Sequence, residues 1–174
     1  MRSPTSVEQY MSCPRLYGLS RWMEPRNQTG GYARFVGSAV AEGLAIFYRG
    51  GSLKTAVEDA GDFFMGKYLG SDAKEGKTLV RRGVKLGAAT EFGPQMKVIG
   101  AEVEWDHCRP DLVAEWDDEL RVIDHKVKMK VWPNRIQSTL EGFNSSWQLA
   151  HYAYELSTRA VQEVYHVGVH LIVL

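Results

Sequence analysis

Cysteine is nearly missing from this sequence: Cys13 and Cys108 are the only two in 174 residues. Two thiols cannot build a disulfide scaffold, and their scarcity fits a reducing, cytoplasmic compartment. They also cannot supply the four thiolates of an iron–sulfur cluster. Long apolar runs are missing too. No stretch reaches the ~18 residues that suggest a membrane span, and the opening Met1-Arg2-Ser3-Pro4-Thr5-Ser6 has no apolar signal core. No membrane association is expected. Neither sign of charge is in excess, because 21 Lys and Arg balance 21 Asp and Glu. A polyanionic partner would therefore have to be met by a local cluster of cations and not by an overall field. Internal repeats and low-complexity segments are absent.

What is present is the balance of an ordinary folded chain, 44% hydrophobic and 24% charged. The length suits one domain, residues 1–174, with a real hydrophobic core. Residues 1–95 read as mainly helical. Ser6 is suited to cap a helix from Val7 to Trp22, interrupted at Pro14, and Asn27 to Gly31 is a polar loop. Val36, Val40, Leu44 and Phe47 share one helix face, and Gly50-Gly51 ends that helix. Leu53–Leu69 and Leu79–Phe92 are further helices with a charged loop between them.

The pattern changes at Lys97. Ile99, Ala101, Val103 and Trp105 alternate with Gly100, Glu102 and Glu104, as a strand requires. Arg109–Trp116 and Leu120–Lys128 are two more strands. Ser145 or Ser146 caps a helix through Ser157, and Val164–Leu174 is a final β-rich strand. Helices, three strands, a helix and a strand make an α/β or α+β mixed sheet.

A register follows if Asp117-Asp118 forms a two-residue hairpin turn. Trp116 then pairs with Glu119, and Asp111 falls opposite Asp124. A similar turn at Asp106-His107 sets Glu102 opposite Asp111. Lys126 lies two residues past Asp124 and shares its face. Opposite residues have Cβ atoms about 4.5–5.5 Å apart, where like charges destabilise a sheet. Three carboxylates in a row call for a cation, and hard oxygen donors suit Mg2+ or Mn2+. The plain alternative is a row of charges on a solvated strand face. Asp124-His125-Lys126 alone is too common a tripeptide to choose between the two.

Other signals are weaker. Gly76-Lys77-Thr78 ends like a phosphate-binding loop, but Gly70 is one residue too far away and no apolar strand leads into it. ATP binding is not expected. His107, His125, His151, His166 and His170 have no clear metal-ligand spacing; His151 shares the helix of Gln148 and could approach a phosphate, but a surface or packing role is expected of it. Trp132 stands between Lys128, Lys130 and Arg135 in the loop after the Asp124 strand. Cations interleaved with an aromatic ring suit single-stranded nucleic acid.

Arg109-Pro110-Asp111-Leu112-Val113 followed by Val122-Ile123-Asp124-His125-Lys126 resembles the GRPDLV…VIDYKT core of RecB-like nucleases in the PD-(D/E)XK superfamily. Gln148-Leu149-Ala150-His151-Tyr152 is similar to that family's Q-x-x-x-Y helix. Ile99-Gly100-Ala101-Glu102 resembles its glutamate strand, and Ser6 to Tyr10 with Cys13-Pro14 its opening segment. The likeness covers most of the chain and extends to the CRISPR-adaptation and phage exonucleases of the group. It implies a restriction-endonuclease-like αβββαβ core with additional N-terminal helices. It further implies metal-dependent hydrolysis of DNA phosphodiesters, exonucleolytic before endonucleolytic. Asp111 and Asp124 would hold the metal with the His125 main-chain carbonyl, and Lys126 would assist the attacking water. Gln148 and Tyr152, on one helix face, would steady the substrate or the lysine, with Glu102 in the same catalytic group. Arg109, Lys128, Lys130, Trp132 and Arg135 would bind DNA, either single-stranded or at duplex ends, and a helicase or recombination protein would be a partner.

Three departures bear on activity. The family's G-x-x-x-H histidine is an extra metal ligand, but Gly37 is followed four residues later by Ala41. Val127 and Cys108 replace a threonine and a glycine. The three C-terminal cysteines of the iron–sulfur relatives are absent, so Cys13 is expected to be a buried structural thiol. Ala41 is the reason to keep a second expectation: a catalytically impaired protein that binds DNA or serves in assembly.

Overall fold

Val36, Ala39, Val40 and Leu44 recur at the spacing of one helix face, and all four are fully buried. They belong to α1 (Tyr32–Tyr48) in a computed structural model that describes residues 31–90, 96–102, 109–144, 147–159 and 164–174. The expected helix at Val7–Trp22, nearly all of the loop at Asn27 to Gly31, the turn at Asp106-His107 and the caps Ser145 and Ser146 lie outside those residues.

Helix α1 ends at Gly50, whose φ of +92° is open to glycine at little cost. Ser52 then starts α2 (Leu53–Lys67), its hydroxyl accepting from the Thr55 N–H at 3.0 Å. Helix α3 spans Ala73–Ala88. It begins six residues before the expected Leu79, because the charged run is its outer face and not a loop. Lys74 and Glu75 face solvent while Gly76, Val80, Gly83, Val84 and Gly87 face inward. The three helices approach closely at Gly43, where a Cβ would come within 2.6 Å of Val84 and 2.8 Å of Ala60. Each fully buried Val or Leu here contributes on the order of 1.5–3 kcal/mol.

The strands are β1 (Lys97–Ala101), β2 (Leu112–Trp116), β3 (Glu119–Lys128) and β4 (Val164–Val173). Among the described residues they form one sheet in the order β1-β2-β3-β4. The first two pairings are antiparallel and β3 runs parallel to β4. Trp116 pairs with Glu119 as expected, and Leu112 with Ile123. Asp117 and Asp118 both take positive φ, 53° and 60°, the conformation a two-residue hairpin of this hand requires.

The first strand departs from the expected alternation. A register shift between Val98 and Gly100 leaves Ile99 55% exposed, while Val98 and Ala101 both face the core. A bulge adds one residue and so changes which side chains share a face. The strand ends at Ala101, where Glu102 takes φ 51°, and the expected Val103 and Trp105 lie outside the described residues.

After β3, Pro133–Arg135 makes a short 3-10 turn and Ile136–Asn144 forms α4. Helix α5 (Trp147–Arg159) follows. Alternation along β3 divides the molecule into layers. Ile123 and Val127 pack toward the α1–α3 side. Val122 meets Leu149 and Tyr152 of α5 on the other. This mixed α/β arrangement matches the expected αβββαβ core, with α4 added in the crossover.

Candidate active site

Asp111 precedes β2, and the Leu112–Ile123 pairing brings it beside Asp124 on β3. Both face the α5 side of the sheet, since their neighbours Val113 and Val122 pack on Leu149 and Tyr152. Asp124 is 1% exposed. Its Oδ2 lies 2.6 Å from Lys126 Nζ, and its Oδ1 accepts from Gln148 Nε2 at 2.9 Å. Lys126 also donates to Gln148 Oε1 at 3.1 Å. Gln148 Nε2 donates to the Tyr152 hydroxyl at 2.6 Å, and that hydroxyl donates to the Arg109 carbonyl at 3.3 Å. The amide of Gln148 thus bridges Asp124, Lys126 and Tyr152, each through an atom suited to it.

Asp111 Oδ2 accepts the His125 main-chain N–H at 2.6 Å. Even so, burial and the charge of Asp124 push the Asp111 carboxyl up to about 7. Burial also raises Asp124, against the pull of Lys126. Glu102 is raised by burial first, then by Glu42 and Asp124, with Arg109 and Arg49 opposing. Three carboxyls that resist ionisation in one place lack positive charge.

The expected lining-up of Glu102 is met in its backbone, whose N–H donates to the Asp111 carbonyl at 3.0 Å. Its side chain turns instead to an ion pair with Arg109 at 2.5 Å. Arg109 is thereby engaged, although its side chain stays 62% exposed. Lys130 lies over the Trp132 ring at 4.4 Å, and Lys128 over Phe143 at 5.2 Å. Trp132 is 63% exposed. Arg135 sits in the 3-10 turn, where its carbonyl accepts from Ser138 and Thr139. Gly76-Lys77-Thr78 lies inside α3, and Lys77 pairs with Asp62 at 2.6 Å, so no phosphate-cradling loop exists there.

Two residues of this region had no signal in the strand pattern. Arg49 donates to the Ala101 carbonyl at 2.8 Å from Nη2 and 3.2 Å from Nε, and Glu42 acts on Glu102. Positions 42, 45 and 49 share a helix face, and Ala45 packs on Ala101 and Leu112. The clue in the sequence is the helical periodicity of α1, which sets positions 42, 45 and 49 on one side. Ala41 lies one turn after Gly37, where a Cβ would stand 4.0 Å from Val127 of β3.

Two of the histidines meet across the β3–β4 pairing. His125 is buried, stacks on Tyr48 with ring centroids 5.6 Å apart, and meets His170 Nδ1 to Nδ1 at 3.1 Å. Burial lowers its pKa to about 3. His151 Nε2 is 3.9 Å from Glu155.

Among the described residues, no three carboxylate, imidazole or thiolate side chains close into a ready metal cage. The donor set nonetheless fits a hard divalent cation. It offers the buried Asp124 and the half-buried Asp111, both of raised proton affinity, and among the described residues the second oxygen of Asp124 faces a lysine. No described helix is long and apolar enough to cross a membrane. No curated protein and no solved structure matches the chain significantly. A sequence model of the PD-(D/E)XK nuclease superfamily, however, matches residues 2–171. Spanning nearly the whole chain, that match means that the protein belongs to the PD-(D/E)XK nuclease superfamily.

Proposed function

We propose that the chain is a Mg2+- or Mn2+-dependent deoxyribonuclease of the RecB-like group, acting as an exonuclease in the cytoplasm. The observation that carries this reading is the pairing of half-buried Asp111 with buried Asp124, with Lys126 held beside them by Gln148. Asp111, Asp124 and the His125 carbonyl would hold the cation. The bound cation would neutralise phosphate charge and promote ionisation of water. Lys126 has two partners, so it keeps Gln148 when a cation competes for Asp124. From there its ammonium can orient the attacking water and meet charge developing on a phosphate oxygen. Tyr152 anchors Gln148 to the segment leading into β2 through the Arg109 carbonyl. Arg109, Lys128, Lys130, Trp132 and Arg135 would guide single-stranded DNA or a frayed duplex end, and Glu102 would fix the approach of Arg109. A helicase or recombination partner would supply unwinding.

A second reading, a DNA-binding or assembly subunit with impaired catalysis, is favoured by Ala41 and by the lack of a third side-chain ligand among the described residues. Labelled single- and double-stranded DNA separates the two. The nuclease reading expects cleavage with Mn2+ or Mg2+ that stops on chelation. It expects Asp124→Asn and Lys126→Ala to lower the rate by about a hundredfold or more. DNA binding without cleavage at saturating metal would establish the second reading.

A further inference from the structure

We propose that Thr90 and His170 form a positioning chain behind the carboxylate pair: they set which nitrogen of His125 carries the hydrogen and, through its main chain, hold Asp111 in place. The proposal rests on the reading of Asp111 and Asp124 as the metal carboxylates.

His125 stands between Asp124 and Lys126, so strand alternation sends its ring to the opposite face. Its main-chain N–H is nevertheless the donor that holds Asp111 Oδ2, at 2.6 Å. Whatever fixes the His125 peptide therefore fixes that carboxylate. The ring is fixed on two sides. Tyr48 stacks on it with only 5° between the planes, and His170, its neighbour on β4, meets it edge-on at 72°.

The positions of the hydrogens follow from the contacts. The two Nδ1 atoms, 3.1 Å apart, share one hydrogen. Its owner is decided at Thr90, whose Oγ1 lies 2.9 Å from His170 Nε2 and 3.3 Å from the Leu86 carbonyl. A carbonyl only accepts, and a hydroxyl has one hydrogen to give. Both contacts are hydrogen bonds only if Thr90 donates to Leu86 and accepts from His170 Nε2–H. A neutral His170 then presents a bare Nδ1, and His125 Nδ1–H is the donor to it. His125 Nε2 is left as a bare acceptor, and it is buried without a partner among the described residues. The reverse chain would lose the Leu86 bond and bury an N–H with no acceptor, a rarer and costlier arrangement. The chain starts just past the end of α3, crosses β4 and ends at the carboxylate site on β3. It ties the helical layer to the far face of the sheet.

Nitrogen-15 NMR of the metal-free full chain tests the assignment directly. Hydrogens are expected on His125 Nδ1 and His170 Nε2, with His125 Nε2 bare. Calorimetry with Mn2+ tests the consequence. His170→Phe, which keeps ring bulk and removes the acceptor, should weaken Mn2+ binding about tenfold. Thr90→Val should weaken it in the same direction and disturb the His125 nitrogen signals, and Thr90→Ser should restore both. Thr90 is exposed, so its variants serve if His170→Phe does not fold. A hydrogen on His125 Nε2 in the parent protein overturns the proposal. So does parental Mn2+ affinity in His170→Phe and Thr90→Val when Asp124→Asn has lost binding. Parental affinity in Asp124→Asn overturns instead the metal reading on which the proposal rests.

Discussion

Burial, and then the charge of Asp124, raise the Asp111 carboxyl from the ordinary aspartate value of 3.8 to about 7. Below the lower value the folded and unfolded chains are both protonated there. Between the two values only the folded chain holds the proton, so this group's contribution to stability falls as pH rises. Asp124 and Glu102 are raised as well and act in the same sense. His125 opposes them. With its pKa lowered from 6.5 to about 3, the unfolded chain holds the extra proton between those values, and stability rises with pH. Asp111→Asn isolates one side of this opposition. In metal-free buffer the variant and the parent should melt together at the acid end. Above the raised value the variant should melt higher, by about 5 °C. Scanning calorimetry across that range checks it, and a difference that does not grow with pH would remove the buried charge as its cause.

At the scale of elements, the β2–β3 hairpin and helix α1 carry the site. The hairpin was readable because a two-residue turn leaves a single register, and Asp117 and Asp118 tolerate the positive φ that the turn demands. Helix α4 was not readable. Gln137-Ser138-Thr139 and Gly142 give a polar, glycine-bearing stretch, and the helix forms where it meets β4 in the fold. The bulge at Ile99 was equally hidden, since alternation predicts an unbroken strand there. Helix α1 is where the proposed activity is expected to be tunable. Position 41 lies a turn beyond Gly37, which packs over Val127 of β3, and Glu42 already adds negative charge near Glu102. An imidazole at 41 would add a neutral ligand at little cost in helix stability. Ala41→His should shift the Mn2+ dependence of cleavage to lower concentration. Identical rates for the two proteins across a metal titration would show that position 41 merely packs.

The whole molecule carries no net charge, so an affinity for DNA must come from a small area. Lys128, Lys130 and Arg135 flank the exposed Trp132 in sequence, in and beside the segment that leaves β3, and Lys130 lies over its ring. Few phosphates would be neutralised, and binding should weaken with salt on a shallow slope. Lys130→Ala should reduce that slope by about 1 in a log–log plot. Trp132→Ala should cost about 1–3 kcal/mol of single-strand affinity without changing the slope. Fluorescence anisotropy over a salt series reads both, and salt-independent affinity would count against a nucleic-acid surface here.

The sequence by itself determined what is local or periodic: the change from helical spacing to alternation near residue 97, the hairpin register, and the shared face of Asp124 and Lys126. These follow from the two-residue repeat of a strand and the narrow choice of short turns. Tertiary structure decided what depends on residues far apart in the chain. Gln148 reaches Asp124 across 24 positions, His125 meets His170 across 45, and Thr90 meets His170 across 80. The raised carboxyls are also of this kind, because a proton's affinity is set by the water that distant segments exclude. A periodic pattern names the residues on a face. Only the packing of the other layers decides which of them lose their solvent, and so which are driven toward a cation.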